Sequence, residues 1–222
     1  MRQISAISAA RRARVRRLQR LSGAVSAVLA ALAVLCGRTA RGDRAAEEFA
    51  RLRAEQAAAT RLVTVARVSA DYGERVFEFR LRYSGTYEAG EVEILAPQSL
   101  EGVTARVSGN AATVRYDGAE LNTGSLGDGL SAAGIVPRLI VEWQSGFADS
   151  LTLVRNGAGV GRREELIMQS VLVGASEQSG GAEGGVRQTT RFDAETRIPI
   201  RTEVVRDGRV VLTVRYESFA VE

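Results

Sequence analysis

The chain contains no lysine and no histidine, and its single cysteine is Cys36. All 30 basic side chains are therefore arginines. Each absence removes a class of chemistry. Ser-His-Asp, Cys-His and Ser-Lys pairs all need an imidazole or an amine as base, and none can be assembled. A Schiff base and the lysine of a phosphate-binding loop are excluded for the same reason. One cysteine cannot build an intrachain disulfide framework, and without histidine there is no Cys/His metal site. No cofactor is expected.

What is present is unevenly placed. The sequence pI of about 9.8 suggests a basic protein. Yet residues 1–41 hold nine of the arginines and no acid, which leaves 21 arginines against all 26 acids, a formal net of −5. The basic character belongs to the N-terminal segment. A mildly acidic remainder, with no basic stripe interleaved with aromatics, argues against a nucleic-acid partner.

Residues 1–42 read as a leader. Arg2, Arg11, Arg12, Arg14, Arg16, Arg17 and Arg20 precede the uncharged run LSGAVSAVLAALAVLC, residues 21–36. A basic flank before a short apolar run is the layout of an export signal, with the positive side retained in the cytoplasm. Three routes stay open at this point. Cys36 closes the run where a lipoprotein would be lipidated, although Leu35 stands where that pattern wants a small residue. Ala40-Arg41-Gly42 offers a small-x-small cleavage site. The run can also be kept as an anchor, although residues 21–36 are short for a spanning helix of about 20. Each places residues 43–222 outside the cytoplasm, tethered at the outer face of the membrane in the first and third cases.

Beyond the leader, a helix capped by Asp43 is expected over 44–59, with Phe49 and Leu52 on one side. After it the pattern turns to strands. Residues 61–70 and 75–84 alternate and are joined by DYGE, a hairpin. Phe77, Phe79, Leu81 and Tyr83 share one face of the second strand, and Val76, Glu78, Arg80 and Arg82 the other. Val92 and Ile94 alternate in a third strand, 86–95, before a turn at 95–102. Val103, Ala105 and Val107 mark the next, and a strand ending at Tyr116 follows Gly109-Asn110. Residues 122–136 are rich in Gly and Ser and read as a loop. PRLIVEWQSG, with Pro137 near its start and Gly146 after its end, reads as a short helix that puts Leu139, Ile140 and Trp143 on one face. Strands are expected again at 149–155, 165–174, 186–193, 198–206 and 209–217, with a polar loop at 175–185. Asp207-Gly208 is a hairpin signal. The fold class is mainly β: one curved antiparallel sheet, a half-open barrel of nine to eleven strands around one or two helices.

The remaining routes to chemistry are thin. Glu47/Glu48, Glu91/Glu93 and Glu164/Glu165 are carboxylate pairs, but Glu91 and Glu93 lie on the wet side of their strand. Gly157-x-Gly159-x-Gly161 is a fragment of a dinucleotide fingerprint without its βαβ context. Ser131 in GLSAAG does not match a nucleophile elbow. Catalytic residues are therefore not expected. The aromatic face of Phe77, Phe79, Leu81 and Tyr83, with Val92, Ile94, Tyr116, Leu139 and Trp143, has two readings. It is either sheet core or the lining of an apolar cavity for acyl chains, and both want the same residues.

Two stretches carry a family likeness. EVEILAPQSLEGVTARVSGNAATVRYDGAEL, 91–121, runs from a strand through a Pro turn and Leu-x-Gly-Val to Tyr-Asp-Gly. TTRFDAETRIPIRTEVVRDGRVVLTVRYESF, 189–219, has an Asp-x-x-Thr-x-x-Pro link and a final hairpin. With the helix before the first strand, the chain resembles the LolA/LolB-like superfamily over roughly 44–222, and within it the GerS-type branch of Gram-positive spore germination lipoproteins. The resemblance implies a half-open β-barrel wrapped around helices and no catalytic residues. It implies one of two partners. The first is an exported protein, a peptidoglycan hydrolase of the amidase class served by a tethered adaptor. The second is the acyl chains of a lipid or lipoprotein held in the half-barrel.

Overall fold

Alternation in the sequence becomes alternation of burial. In β1 (Leu62–Asp71) the even positions Leu62, Thr64, Ala66, Val68 and Ala70 are buried, and the odd positions face outward. A strand with one wet and one dry side must lay its dry side on something, and here two helices supply the cover. The computed structural model describes residues 44–108, 111–125, 131, 134–156, 163–172 and 185–222. The leader with Cys36, the Asp43 cap, Gly109-Asn110, the Gly157–Gly161 motif and residues 175–184 lie outside the described residues.

The chain divides at Asp43, and the unit Arg44–Glu222 holds the fold described below. It begins with helix α1, residues 44–58. Then follow β1, β2 (Val76–Gly85), β3 (Ala89–Ala96), a 3-10 turn at Gln98–Leu100, β4 (Thr104–Ser108), β5 (Ala111–Tyr116) and β6 (Ala119–Ser125). Helix α2 (Ile135–Ser145) precedes β7 (Ser150–Asn156), β8 (Arg163–Val171), β9 (Arg187–Asp193), β10 (Pro199–Arg206) and β11 (Arg209–Val221). The eleven described strands form one sheet in the order β6-β5-β4-β3-β2-β1-β11-β10-β9-β8-β7. The sheet is antiparallel throughout, curved and unclosed. The chain works outward from central β1 to the edge at β6. The segment carrying α2 then links to the opposite edge, and β7 to β11 return inward until β11 pairs with β1, Leu62 opposite Val221 and Ala70 opposite Leu212.

Local chemistry explains the turns. Asp117 and Gly118 have φ of 47° and 78°, and Asp207 and Gly208 have 51° and 74°. These left-handed pairs make the tight two-residue hairpins that Asp-Gly favours. The first of them corrects the loop expected over 122–136. Residues 119–125 are strand β6, paired with β5 from Tyr116–Ala119 to Ala111–Ser125. Gly and Ser have poor strand propensity, but a tight turn presents the β5 edge to them, and pairing prevails over propensity. Strand β11 also runs to Val221, past its expected end at 217, because β1 offers it a partner along that length.

Helix α1 buries Ala45, Phe49, Leu52 and Gln56, spaced as one face of a helix, and the first three join the apolar cluster of the sheet's inner face. Its outer side is tied down by charge. Arg44 meets Glu164 of β8 at 2.7 Å, and Arg197 in the β9–β10 turn reaches Glu55 at 2.6 Å and Glu48 at 3.6 Å. Among the described residues no helix is long and apolar enough to cross a membrane.

Candidate functional site

The inner face of β2 changes character along its length. Tyr83 and Leu81 are 1% exposed, Phe79 is half-buried and Phe77 is 42% exposed. The cause is register. Strand β3 pairs with β2 only from Arg80 to Gly85, so Phe77 and Phe79 extend past the end of their neighbour. At the hairpin tip the Tyr72 and Phe77 rings meet edge-to-face at 5.7 Å. Ala70 pairs with Phe77 on one side and Leu212 on the other, so the start of β11, with exposed Val210, lies at the same end of the sheet. These exposed side chains form an apolar patch at this end of the sheet, its mouth.

Deeper along the sheet the face is covered. Trp143 of α2 is fully buried, and its ring packs edge-on against Phe192 at 5.2 Å and Tyr216 at 5.6 Å, with Phe219 tilted beside it at 6.3 Å. Its indole N–H donates to Thr190 Oγ1 at 3.2 Å. Thr190 and Thr202 share a hydrogen bond of 2.9 Å, and Thr202 meets the Tyr216 hydroxyl at 3.3 Å. One strand further out, Gln188 Nε2 donates to Ser170 Oγ at 2.8 Å. A buried hydroxyl is tolerable only when paired. The linked hydroxyls of Thr190, Thr202 and Tyr216, across β9 to β11, thus set where the indole sits. Burial raises the Tyr216 phenol, with the Thr202 hydrogen bond acting in the other direction.

Helix α2 is fixed from behind by α1. The Arg53 Nε–H donates to the Trp143 carbonyl at 2.6 Å, and Nη2 donates to the Gly146 carbonyl, so one guanidinium serves carbonyls at the helix C-terminus that have no helical partner. The same guanidinium lies 4.5 Å over the Phe49 ring. Its pKa is lowered by burial, against which Glu142 acts. Gln144 Nε2 donates to Gln56 Oε1 at 2.7 Å. Ser131 takes a structural place: its carbonyl and Oγ accept backbone N–H groups at the start of α2.

Leu81, Tyr83, Val92, Ile94, Leu139 and Trp143 thus fall in one buried cluster, with Phe79 packed against it. Phe77 stands at the mouth, and Tyr116 is 53% exposed at the far end of β5. The Tyr83 hydroxyl donates to the Thr86 carbonyl, and burial pushes its phenol up to about 12. Its ring lies over Gly90, where a β-carbon would come within 2.6 Å of it. Sequence reasoning does not single out Phe192, Tyr216, Phe219 or the threonine ladder. The signal it offers is Thr190 and Thr202 in phase with apolar positions of alternating strands. The carboxylate pairs serve ion pairs: Glu93 with Arg82 at 2.9 Å, Glu165 with Arg191 at 3.2 Å, Glu91 with Arg106 at 3.7 Å. That last pair spans an open cleft of about 480 Å³ on the outer face, over β3 to β5. Among the described residues no three acidic or thiol groups converge as a metal site. The arrangement offers apolar contact.

No protein-family model matches the chain, and no curated protein does. Among solved structures it is similar to the Mycobacterium tuberculosis lipoprotein LppX (12% identity, TM-score 0.42, 81% of this chain and 99% of that one). It is similar to a LolA superfamily protein from Nitrosomonas europaea (12%, 0.38, 74% and 86%). It is also similar to a chain in the structure of the CwlD amidase from Clostridioides difficile in complex with the GerS lipoprotein (16%, 0.37, 79% and 95%).

Proposed function

We propose that this chain is an exported, membrane-tethered, non-catalytic binding protein that engages another exported protein through its apolar mouth. One observation carries this reading. Trp143 and the rings around it occupy the covered part of the inner face, while Tyr72 and Phe77 stay exposed at one end. A partner meets exposed aromatic rings backed by a packed core, which is the composition of an interface centre. The partner class is a peptidoglycan hydrolase of the amidase type, named by the resemblance of residues 91–121 and 189–219. A photo-crosslinking residue in place of Phe77, in cells that make the protein, tests it. A crosslink to an exported hydrolase, absent when the same residue replaces Arg155 on β7, supports the reading; crosslinks to lipid alone overturn it. The mass of the mature N-terminus tests the tether: a diacyl mass on a chain starting at Cys36 supports it.

A second reading is favoured by the adjacency of Phe77 and half-buried Phe79 on one face. An acyl chain entering at the mouth would lie along both. This lipid or lipoprotein carrier retains acyl chains in native mass spectra and loses them in Phe79→Glu; unchanged uptake by that variant would sink it.

A further inference from the structure

The outer face of the sheet carries a pattern that no single strand reveals. Arg80 of β2 lies opposite Arg67 of β1, Arg67 opposite Arg215 of β11, Arg215 opposite Arg201 of β10, and Arg201 opposite Arg191 of β9. Five arginines therefore stand in register across five consecutive strands. At about 4.8 Å between strands the row is roughly 19 Å long. Like charges directly opposite one another destabilise a sheet, so the row is not explained by stability.

Neutralisation along the row is incomplete. Glu217 serves both Arg80 at 2.8 Å and Arg67 at 3.2 Å. Glu203 meets Arg201 at 2.5 Å, and Glu165 meets Arg191 at 3.2 Å. Three carboxylates thus face five guanidiniums, and exposed Arg215, at the centre, has no ion pair among the described residues. The flanks narrow the choice of ligand. Glu78, opposite Ser69, and Glu203, opposite Thr213 and paired with Arg201, lie on one side of the row; Asp193, opposite Glu165, lies on the other, where Arg82 and Glu93 neutralise each other. A planar anionic bilayer would press against both acidic flanks, whereas a linear polymer can follow the lane between them. The row and its paired neighbours hold no aromatic side chain on this face, so there is no platform on which nucleic-acid bases could stack.

We propose that the row Arg80-Arg67-Arg215-Arg201-Arg191 is a binding lane for a linear, base-free phosphodiester polymer whose phosphates are held by the guanidiniums around Arg215. Arginine suits this task because its planar fork donates two parallel hydrogen bonds to a phosphate. The lane is independent of the apolar mouth.

The probe is a short fluorescent poly(glycerol phosphate) chain, titrated against the full-length protein over a range of salt. Binding should weaken linearly on a log–log plot as salt rises. Arg67→Gln/Arg215→Gln/Arg201→Gln should lower affinity at least tenfold without lowering the denaturation midpoint, because like charges are relieved. Since the arginines of the leader also attract polyanions, an arginine-reactive dicarbonyl locates the contact. Bound polymer should protect Arg215, Arg67 and Arg201 from modification and leave Arg106 and Arg115 open. If the triple variant folds poorly, Arg215→Gln replaces it in the titration, and the footprint is read on the unsubstituted chain. Equal labelling of Arg215 with and without bound polymer overturns the proposal. So does protection of Arg215 by a single-stranded oligonucleotide of equal charge, or by anionic vesicles, as complete as that by the polymer.

Discussion

The two arms of the sheet bury their inner faces by different means. From β2 to β5 the buried positions are Leu81, Tyr83, Val92, Ile94, Ala105, Val107 and Ala112, apolar apart from one phenol. From β8 to β10 they include Ser170, Gln188, Thr190 and Thr202, with Trp143 of α2 laid against them. Apolar burial stabilises in proportion to area and is indifferent to orientation. A hydrogen bond contributes less on balance, yet leaving its partner buried and unpaired costs about 1–3 kcal/mol, so it selects one geometry. The first arm is therefore held mainly by bulk. The second also aims an indole, and with it the helix that covers the inner face.

Trp143→Ala should cost about 3–5 kcal/mol, because it empties the contact between α2 and three rings and unpairs the Thr190 ladder. Denaturant unfolding measures it; a loss under about 1 kcal/mol would mean that α2 is not held by this side chain. Thr202→Val preserves shape but removes the hydroxyl between Thr190 and Tyr216, with an expected cost of about 1–3 kcal/mol. Combined with Trp143→Phe it should be non-additive by more than about 0.5 kcal/mol, while Ile94→Val, across the sheet, should add simply. Additivity in both cycles would erase the distinction between the arms.

Alkaline pH probes both arms together. In the folded chain the Tyr83 phenol is pushed up to about 12 by burial, and Tyr216 is raised as well. The fold therefore favours the neutral phenol. Its contribution is complete below about pH 10, where unfolded tyrosine begins to ionise, and is lost as pH rises through about 12. Stability followed by denaturant titration should be flat in tyrosine terms below pH 10 and fall above it, and Tyr83→Phe should reduce that fall. The smallest effect on folding belongs to the mouth. Phe77→Glu should change stability by no more than about 0.5 kcal/mol, since the ring is largely exposed, yet abolish partner capture. A large loss of stability would instead make Phe77 part of the core.

Much of this architecture is legible in the sequence. The hairpin at Asp71–Glu74, the Asp-Gly turn before β11 and the helix after Pro137 are local, set by alternation and turn chemistry within a few residues. The face shared by Phe77, Phe79, Leu81 and Tyr83 is equally plain, because side chains on a strand must alternate. What alternation does not convey is depth. Strand β6 escapes such a reading because its Gly- and Ser-rich residues owe their conformation to β5. The threonine ladder escapes it because a threonine in a strand reads the same wet or dry.

By itself, then, the sequence determined which residues could be strand, which side of each strand is greasy and which catalytic bases are missing, all properties of neighbours along the chain. Only the tertiary structure decided that Tyr83 is core while Phe77, on the same face of the same strand, stands at an open end. It also decided that five arginines from five strands line up. Both depend on register and on where a neighbouring strand stops, and those are set by pairings between segments as distant as β1 and β11, which no local pattern encodes.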